Sequence, residues 1–165
     1  SSAIPDSPSF AEDLILAGTV DGILYALGNS HGEIVWQFKA DGAIWGDPVI
    51  LDGVAFFADV SGTAYAIETY SGNELWRKEL PSSSAASPTI VEDRIFFVSE
   101  TGEVTAFLLE NGNPIWPSSA DMAGRLLADS IPTDYGLLLP AMDSECEVFS
   151  VDTSTGASRC MIEPK

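Results

Sequence analysis

The chain has 165 residues, of which 45% are hydrophobic and 10% aromatic, enough for one domain with a buried core. Its 25 acidic residues against 7 basic ones give a formal net charge of −18. This charge argues against nucleic acid and anionic membrane surfaces as partners, because both need a basic patch. The apolar runs are too short to span a bilayer, and the first residues do not resemble a secretory signal.

The sequence repeats with a period of 40 residues. Five columns recur in three copies, namely Pro8/Pro48/Pro88, Gly22/Gly62/Gly102, Ala26/Ala66/Ala106, Gly32/Gly72/Gly112 and Trp36/Trp76/Trp116. A fourth copy follows Pro132 after a step of 44 residues, which a four-residue insertion near 117–130 explains. We therefore expect a single domain over 1–165 with four repeats, at approximately 1–40, 41–80, 81–124 and 125–165.

Each copy contains short β-branched and aromatic runs separated by turn residues. The first run follows the proline, weakly at Ser9-Phe10 and more clearly at Val49-Ile50. In the second copy, further runs cover 54–59, 63–67 and 73–77. Four short antiparallel strands per 40 residues are typical of a propeller blade. The predicted fold is all-β, a β-propeller built of four-stranded antiparallel blades.

These repeats resemble the quinoprotein-type, PQQ-like β-propeller repeat, whose blade motif is Ala-x-Asp-x-x-Thr-Gly-x-x-x-Trp. The second copy shows this pattern from Ala66 to Trp76, and the fourth keeps Asp152 and Thr155. In the fourth copy Cys160 replaces the tryptophan. The resemblance implies structural roles: tryptophans dock between neighbouring blades and glycines make the turn. The residues concerned are Trp36, Trp76, Trp116, Gly32, Gly72, Gly112 and Gly156.

The resemblance points to one of two branches of the family. Quinone-dependent dehydrogenases are longer, usually eight-bladed, and carry adjacent cysteines and a calcium ion, whereas Cys146 and Cys160 are not adjacent. We therefore expect no enzyme and no cofactor, but the BamB-like scaffold branch. This implies a scaffold or protein-interaction subunit of a larger assembly, placed by family habit in the periplasm, outside the cell or in a lumen. A dehydrogenase fragment and a dimerising sensor domain are the alternatives.

Four blades leave the completion of the ring open. Two chains would pair into an eight-bladed ring, the chain would be part of a longer protein, or another subunit would cap an open arc. The remaining possibility is a closed four-bladed ring. In the open arrangements, a protein partner or a second copy covers the open blade edges.

The two cysteines replace motif residues in the fourth copy, Cys146 at a glycine position and Cys160 at the tryptophan position. If Asp152 faces Ala157 in the hairpin, Cys160 faces Phe149 and lies about 10 Å from Cys146, beyond disulfide reach unless a bulge intervenes. A disulfide, two buried free thiols and an intermolecular bridge therefore all stay open.

Acidic residues recur in the turn between the second and third strands of the copies: Asp21, Asp59, Glu100, Asp143 and Glu145. Converging carboxylates there would bind a cation such as Ca²⁺ or a basic partner, and the alternative is a solvated acidic face. His31, the single histidine, excludes a multi-histidine metal site.

Two loops are candidate interfaces. Trp45, between the first two copies, is interpreted either as an interface anchor or as a plug of the cleft between blades. Asp121, Met122 and Arg125 lie in or beside the inserted segment, which is either a contact loop or simply a longer one.

Overall fold

The structure, a computed structural model, describes residues 3–122, 124–126, 129–134, 136–142 and 144–163. The regular elements in these ranges are all β-strands, and they form four antiparallel sheets in succession along the chain. The predicted all-β class with four antiparallel blades is therefore confirmed. Within the same ranges, no helix has the length and apolar character needed to span a bilayer.

The first sheet pairs its strands in chain order: β1 (Ser9–Ala11), β2 (Leu14–Gly18), β3 (Ile23–Gly28) and β4 (Ile34–Lys39). The second sheet repeats this order: β5 (Val49–Leu51), β6 (Val54–Ala58), β7 (Thr63–Glu68) and β8 (Glu74–Glu79). The third sheet contains β9 (Thr89–Val91), β10 (Arg94–Val98), β11 (Glu103–Leu108) and β12 (Ala120–Asp121). The fourth sheet contains β13 (Arg125–Leu126), β14 (Ile131–Thr133), β15 (Gly136–Met142), β16 (Val148–Val151) and β17 (Ser158–Ile162).

The second strand of an interior sheet is apolar along most of its length because neighbouring sheets cover both of its faces. In β6, the adjacent residues Phe56 and Phe57 point to opposite faces. Phe57 packs in the cluster shared with the first sheet, and Phe56 packs in the cluster shared with the third. A third cluster joins the third and fourth sheets through residues such as Phe96 and Leu137. Each described cluster therefore joins two sheets that are consecutive in the chain.

The third sheet departs from the repeat at its outer strand. Trp116 lies outside any strand, and β12 is only two residues long. The backbone N–H of Met122 donates to the carbonyl of Gly102, as that of Leu80 does to Gly62. Six residue steps separate the tryptophan from this donor in the third sheet and four in the second. Two of the four inserted residues therefore interrupt the outer strand of this sheet.

The fourth sheet has five strands instead of the predicted four. Both β13 and β14 pair with β15, at its Ala141–Met142 end and its Gly136–Leu138 end respectively. At seven residues, β15 is long enough for two short strands along one edge. The added strand occupies the inner side of the sheet and leaves the outer strand β17 without a further neighbour.

Candidate functional site

The sheets are held together by tryptophans that dock on the following sheet. The indole N–H of Trp36 donates to the carbonyl of Thr69 at 2.8 Å, and that of Trp76 donates to Leu109 at 2.9 Å. Each ring lies against a glycine of the next sheet. A methyl group at Gly72 would lie 2.7 Å from Cδ2 of Trp36, so a side chain at this glycine and the docked ring are incompatible.

The third docking contact is built differently. A methyl group at Gly156 would lie 2.8 Å from Cδ2 of Trp116, so this ring also lies on a glycine. However, the buried indole N–H of Trp116 has no hydrogen-bond partner among the described residues. The carbonyl of Thr153, which corresponds to those of Thr69 and Leu109, accepts instead from Nη1 of Arg94 at 3.1 Å. Arg94 therefore donates to the carbonyl that is equivalent to the tryptophan's acceptor in the other two docking contacts.

Comparing two glycines separates ring docking from backbone conformation. Gly72 and Gly32 have nearly equal φ angles of 75° and 70°, but Gly32 has nothing within 4 Å of where a methyl group would lie. We expect Gly32→Ala to cost about 1–2 kcal/mol from the left-handed backbone alone. Gly72→Ala should cost about 1–3 kcal/mol more, because it displaces the Trp36 ring. Urea unfolding of both variants measures the difference, and equal losses would contradict the docking geometry.

Cys146 and Cys160 form a disulfide with a Cα–Cα distance of 5.6 Å. The predicted register is present, since Phe149 faces Cys160. The inference that this register separates the cysteines by about 10 Å is wrong, because a bulge at Val148/Phe149 shifts the pairing so that Val148 faces Ile162. The bridge ties the exposed strand β17 to the buried Cys146. It thus anchors the one outer strand whose tryptophan has been lost.

Removing this bridge should destabilise the fold. Its sequence separation is 14 residues, for which loop-closure entropy predicts about 3 kcal/mol. Cys146→Ser/Cys160→Ser should lower the free energy of urea unfolding by about 3 kcal/mol. The wild type in reductant should lose a similar amount, and an unchanged unfolding midpoint in either sample would contradict the prediction.

Apolar residues remain open on the two outermost faces of the stack. The leading face of the first sheet carries Phe10, Ile15, Tyr25 and Leu27, which occupy the positions that β5–β7 bury against the first sheet. Phe10 is 67% exposed. Tyr25 is partly exposed, whereas Tyr65, its counterpart in the second sheet, is fully buried. The first sheet thus presents the same kind of surface that the interior sheets cover.

The trailing face of the fourth sheet is its counterpart. Leu137 and Leu139 of β15 pack on the third sheet, so the alternating residues Leu138, Pro140 and Met142 point away from it. Met142 is 55% exposed, and Ile162, which pairs with Val148 on this face, is 51% exposed. These two terminal faces are apolar surfaces that no other described sheet covers.

The turn acids have different surroundings. Asp59 is fully buried, and its carboxylate accepts hydrogen bonds from the amides of Gly42, Ser61 and Thr63 and from the hydroxyls of Ser61 and Tyr65, at 2.6–3.0 Å. Both of its oxygens are occupied by donors of its own chain. Burial, with the Asp59 carboxylate nearby, raises the pKa of the Tyr65 hydroxyl above its ordinary value.

The other candidate cation ligands do not join Asp59. Asp21, Glu100 and Glu145 are exposed, and Asp21 accepts from the hydroxyl of Thr19 at 2.6 Å. Asp143 lies outside the described residues. In the part of the chain that the structure describes, no group of three or more His, Cys, Asp or Glu side chains is arranged to hold a metal ion.

A carboxylate that the sequence did not single out, that of Glu103, lies at the start of β11, directly after the equivalent turn of the third sheet. Hydroxyls of Ser82, Thr101 and Ser99 donate to Oε2 of Glu103 at 2.8, 2.8 and 3.1 Å, and they lower the pKa of this carboxyl below its ordinary value. A lowered folded-state pKa contributes stability that is present above the unfolded pKa and is lost as pH falls through the folded one. In the sequence, the hydroxyl residues Ser99 and Thr101 shortly before Glu103 are the signal that could have indicated this hydrogen-bonded carboxylate.

This sign gives a pH prediction. Between pH 7 and pH 3, the wild type should lose stability that Glu103→Gln does not lose, because the variant has no carboxylate to protonate. Urea unfolding midpoints at several pH values measure the slope. Glu110→Gln, at an exposed turn residue, is the control for the removal of one charge. Parallel pH profiles for the wild type and Glu103→Gln would contradict the prediction.

The predicted interface residues differ in how far the fold buries them. Trp45 is 50% exposed, and the neighbouring Ile44 fills the cleft instead, fully buried and so close to Gly18 that a methyl group there would lie 2.5 Å from Cγ2 of Ile44. Ile44 is therefore the fully buried residue of this cleft, and Trp45 stays a candidate interface residue. Met122 is also fully buried, within the cluster between the third and fourth sheets, and is not available to a partner.

Asp121 and Arg125 flank Met122 and are exposed. They lie in β12 and β13, the short strands next to the insertion.

The first strands of the sheets line an open groove of about 460 Å³ that the sequence did not reveal. Two acids, Asp47 and Asp129, are among its lining residues. Burial and the nearby charges of Asp6 and Asp129 raise the pKa of the Asp47 carboxyl. Hydroxyl contacts join successive sheets along it, as where Ser9 donates to the carbonyl of Pro48 at 2.5 Å. The sequence around Asp47, a residue before a proline, contains no motif that indicates this groove.

Four stacked antiparallel sheets with tryptophan docking define a PQQ-like propeller segment. The chain belongs to the family described as outer membrane protein assembly factor BamB, whose model matches residues 20–163. No curated protein sequence matches the chain significantly.

Solved structures show the same fold. BamB from Moraxella catarrhalis is 25% identical with a TM-score of 0.79, over 96% of this chain and 49% of that chain. The computationally designed Ika4 protein is 14% identical with a TM-score of 0.77, over 92% of both chains. A europium-containing methanol dehydrogenase is 14% identical with a TM-score of 0.74, over 99% of this chain and 44% of that chain. The chain thus spans about half the length of the Moraxella protein, and the 14% likenesses show the fold alone.

Proposed function

We propose that this chain is a non-catalytic scaffold segment of an extracytoplasmic assembly that serves outer-membrane protein assembly. The observation that carries the proposal is the pair of open apolar faces at the two ends of the stack, represented by Phe10 and Met142. Exposed contiguous apolar surface is typical of a protein-interaction site. A rigid stack with two such faces holds its partners at a defined separation and orientation.

The family and the cysteines support this proposal. The matching family is described by its part in outer-membrane protein assembly. A disulfide is typical of proteins in oxidising compartments such as the periplasm. The dehydrogenase alternative has less support, because the two cysteines are joined at a separation of 14 residues rather than adjacent. His31, the single histidine, lies exposed in a turn.

Site-specific photo-crosslinking tests the proposal. A photoreactive phenylalanine analogue is placed at Phe10 and at Met142, with Tyr70, an 87% exposed residue in the turn between β7 and β8, as the matched control. The variants are expressed in the periplasm of a bacterium that has an outer membrane. We expect adducts with a component of the outer-membrane assembly machinery from the terminal faces and not from Tyr70. Equal adducts at all three positions, or none at the terminal faces, would overturn the proposal.

An activity assay tests the dehydrogenase alternative. The purified chain is mixed with pyrroloquinoline quinone, Ca²⁺ and an alcohol, and reduction of an artificial electron acceptor is followed. We expect no reduction above that of the quinone and Ca²⁺ alone. Turnover that requires the folded chain would contradict the non-catalytic assignment.

A further inference from the structure

A groove of about 800 Å³ opens between the first and second sheets. Its border includes residues of three turns: Glu12 and Asp13 between β1 and β2, Asp52 between β5 and β6, and Tyr70 between β7 and β8. We call it the turn groove. Its volume lies within the range of clefts that bind small ligands, about 300–1,000 Å³.

The turn groove combines apolar surface with negative charge. Side chains that line it fall into two groups, the apolar Leu14, Val35, Ile50 and Tyr70 and the acidic Glu12, Asp13, Asp52 and Glu68. Among the described residues that line it, none is a lysine, an arginine or a histidine. A groove of this kind is complementary to a ligand that carries a cation beside an apolar group.

The equivalent position between the third and fourth sheets contains an arginine of the chain itself. Arg94 has the place in the third copy that Leu14 has in the first. Its Nη1 donates to the carbonyl of Thr153 at 3.1 Å and to Oγ of Ser154 at 3.3 Å, in the turn between β16 and β17. Its Nε lies 3.4 Å from Oδ1 of Asp93. Here the fold places a guanidinium between two turns of neighbouring sheets.

The turn groove has the same acids without the arginine. By the spacing of the repeat, Asp13 corresponds to Asp93 and Glu68 to Asp152. The backbone agrees, because the carbonyls of Glu68 and Asp152 both accept from the N–H of the glycine four residues later. The apolar Leu14 stands where the third copy has its cation. The position of the guanidinium is therefore bordered by acids but is left without a positive charge.

We infer that the turn groove binds a short arginine-bearing peptide. Its guanidinium lies between Asp13 and Glu68, and a neighbouring apolar side chain of the peptide packs on Leu14 and Ile50. Arginine suits this site because its planar fork pairs with carboxylates through two hydrogen bonds. The ring of Tyr70, which is 87% exposed, is free to stack on the guanidinium.

This inference goes beyond the proposed function, because the groove lies between two sheets of the chain and not on a terminal face. Phe10 borders both the groove and the leading face, so the test uses other residues of the groove. A short peptide is also distinct from the outer-membrane machinery. Tyr70 therefore remains a control for adducts with that machinery, and failure of either proposal is distinguishable from failure of the other.

A synthetic peptide tests the inference. The tetrapeptide Arg-Leu-Arg-Leu, acetylated and amidated at its ends, is titrated into the wild-type chain by isothermal calorimetry. The control is the same peptide with citrulline, which has nearly the shape of arginine but no charge. We expect the citrulline peptide to bind at least tenfold more weakly. Equal binding of the two peptides, or no binding of either, would overturn the inference.

Two double variants separate the groove from the general acidity of the chain. Asp13→Asn/Glu68→Gln removes two charges from the groove, and Glu92→Gln/Glu110→Gln removes two charges from exposed turn positions outside it. Since both variants have the same net charge, non-specific attraction falls equally in both. We expect the groove variant to bind the arginine peptide at least tenfold more weakly than the control variant. Equal affinities would overturn the inference.

Copying the arginine of the third copy into the first provides a test that keeps all the acids. Leu14→Arg places a guanidinium of the chain in the groove, as Arg94 does between the third and fourth sheets. We expect it to weaken peptide binding at least tenfold. Leu75→Arg, at a 52% exposed position outside the groove, is the control for the added charge. Unchanged binding in a folded Leu14→Arg variant would overturn the inference.

A measurement on the wild type covers the case in which these variants do not fold. The arginine peptide is titrated into the ¹⁵N-labelled chain, and amide shifts are followed. We expect the shifts at Thr69 and Tyr70 to exceed those at Leu109 and Glu110, the equivalent turn of the third sheet, where Leu108 replaces the acid. Shifts of equal size in the two turns would overturn the inference.

Discussion

Replacing Trp76 by alanine should lower the free energy of unfolding by about 3–5 kcal/mol, the cost of truncating a large buried aromatic side chain. The ring is buried between two sheets, with Phe56 and Phe107 at centroid distances of 5.8 and 6.2 Å. Its N–H also donates to the carbonyl of Leu109, so the substitution leaves this acceptor without its donor. Because the ring joins the second sheet to the third, we expect these two sheets to unfold together.

Urea unfolding followed by circular dichroism measures this loss. Trp45→Ala is the control, because the half-exposed Trp45 lies in no core cluster and should cost less than about 1 kcal/mol. Trp116→Ala should cost less than Trp76→Ala, because the Trp116 indole makes no hydrogen bond within the described structure. Similar losses for Trp76→Ala and Trp45→Ala would show that the seam does not depend on the docked ring.

Replacing Asp59 by alanine should cost about 3–5 kcal/mol. The substitution removes the acceptor from five donor groups, of which the Tyr65 hydroxyl and the Gly42 amide lie on opposite sides of the first seam. Leaving buried donors unsatisfied costs about 1–3 kcal/mol for each that water does not reach. Asp59→Asn should cost less than Asp59→Ala, because it retains one acceptor oxygen.

The control for Asp59 is Glu110→Ala, which removes one negative charge from an exposed turn. It should change the free energy of unfolding by less than about 0.5 kcal/mol. Adding Ca²⁺ should not change the urea midpoint of the wild type, because the oxygens of Asp59 are already occupied by donors. A large stabilisation by Ca²⁺, abolished by Asp59→Ala, would show that the carboxylate is a cation ligand and not a structural acceptor.

The repeat made the fold predictable. Five columns at a spacing of 40 residues located the strands, and short apolar runs with turn residues identified them as blade strands. Such columns record contacts that recur between copies, as Ala66 opposite Trp76 in the second sheet repeats Ala26 opposite Trp36 in the first. The fourth copy was the hardest to predict, because the second strand that pairs with β15 and the disulfide to β17 have no counterpart in the other three described sheets.

The roles of individual side chains were less predictable. Asp59 appeared among the turn acids as a cation ligand, but its counterparts by contact are Thr19 and Ser99, whose hydroxyls also accept from the amide four residues later. An acid and a hydroxyl perform the same capping role, which chemical similarity alone does not reveal. Trp45, on a loop between two copies, was interpreted as an interface anchor or as a plug, whereas Ile44 is the residue that lies fully buried in the cleft.

The sequence by itself determined the all-β class, the number of blades and the positions of the docking tryptophans, because these depend on local propensity and on spacing along the chain. Only the tertiary structure decided which of the equivalent glycines are covered by a tryptophan ring. Whether Gly32 is covered, whether a bulge brings Cys146 to Cys160 and whether Arg94 takes the carbonyl of Thr153 depend on which sheet lies alongside. Residues far apart in the sequence meet at these positions, and no periodicity records the identity of the neighbour.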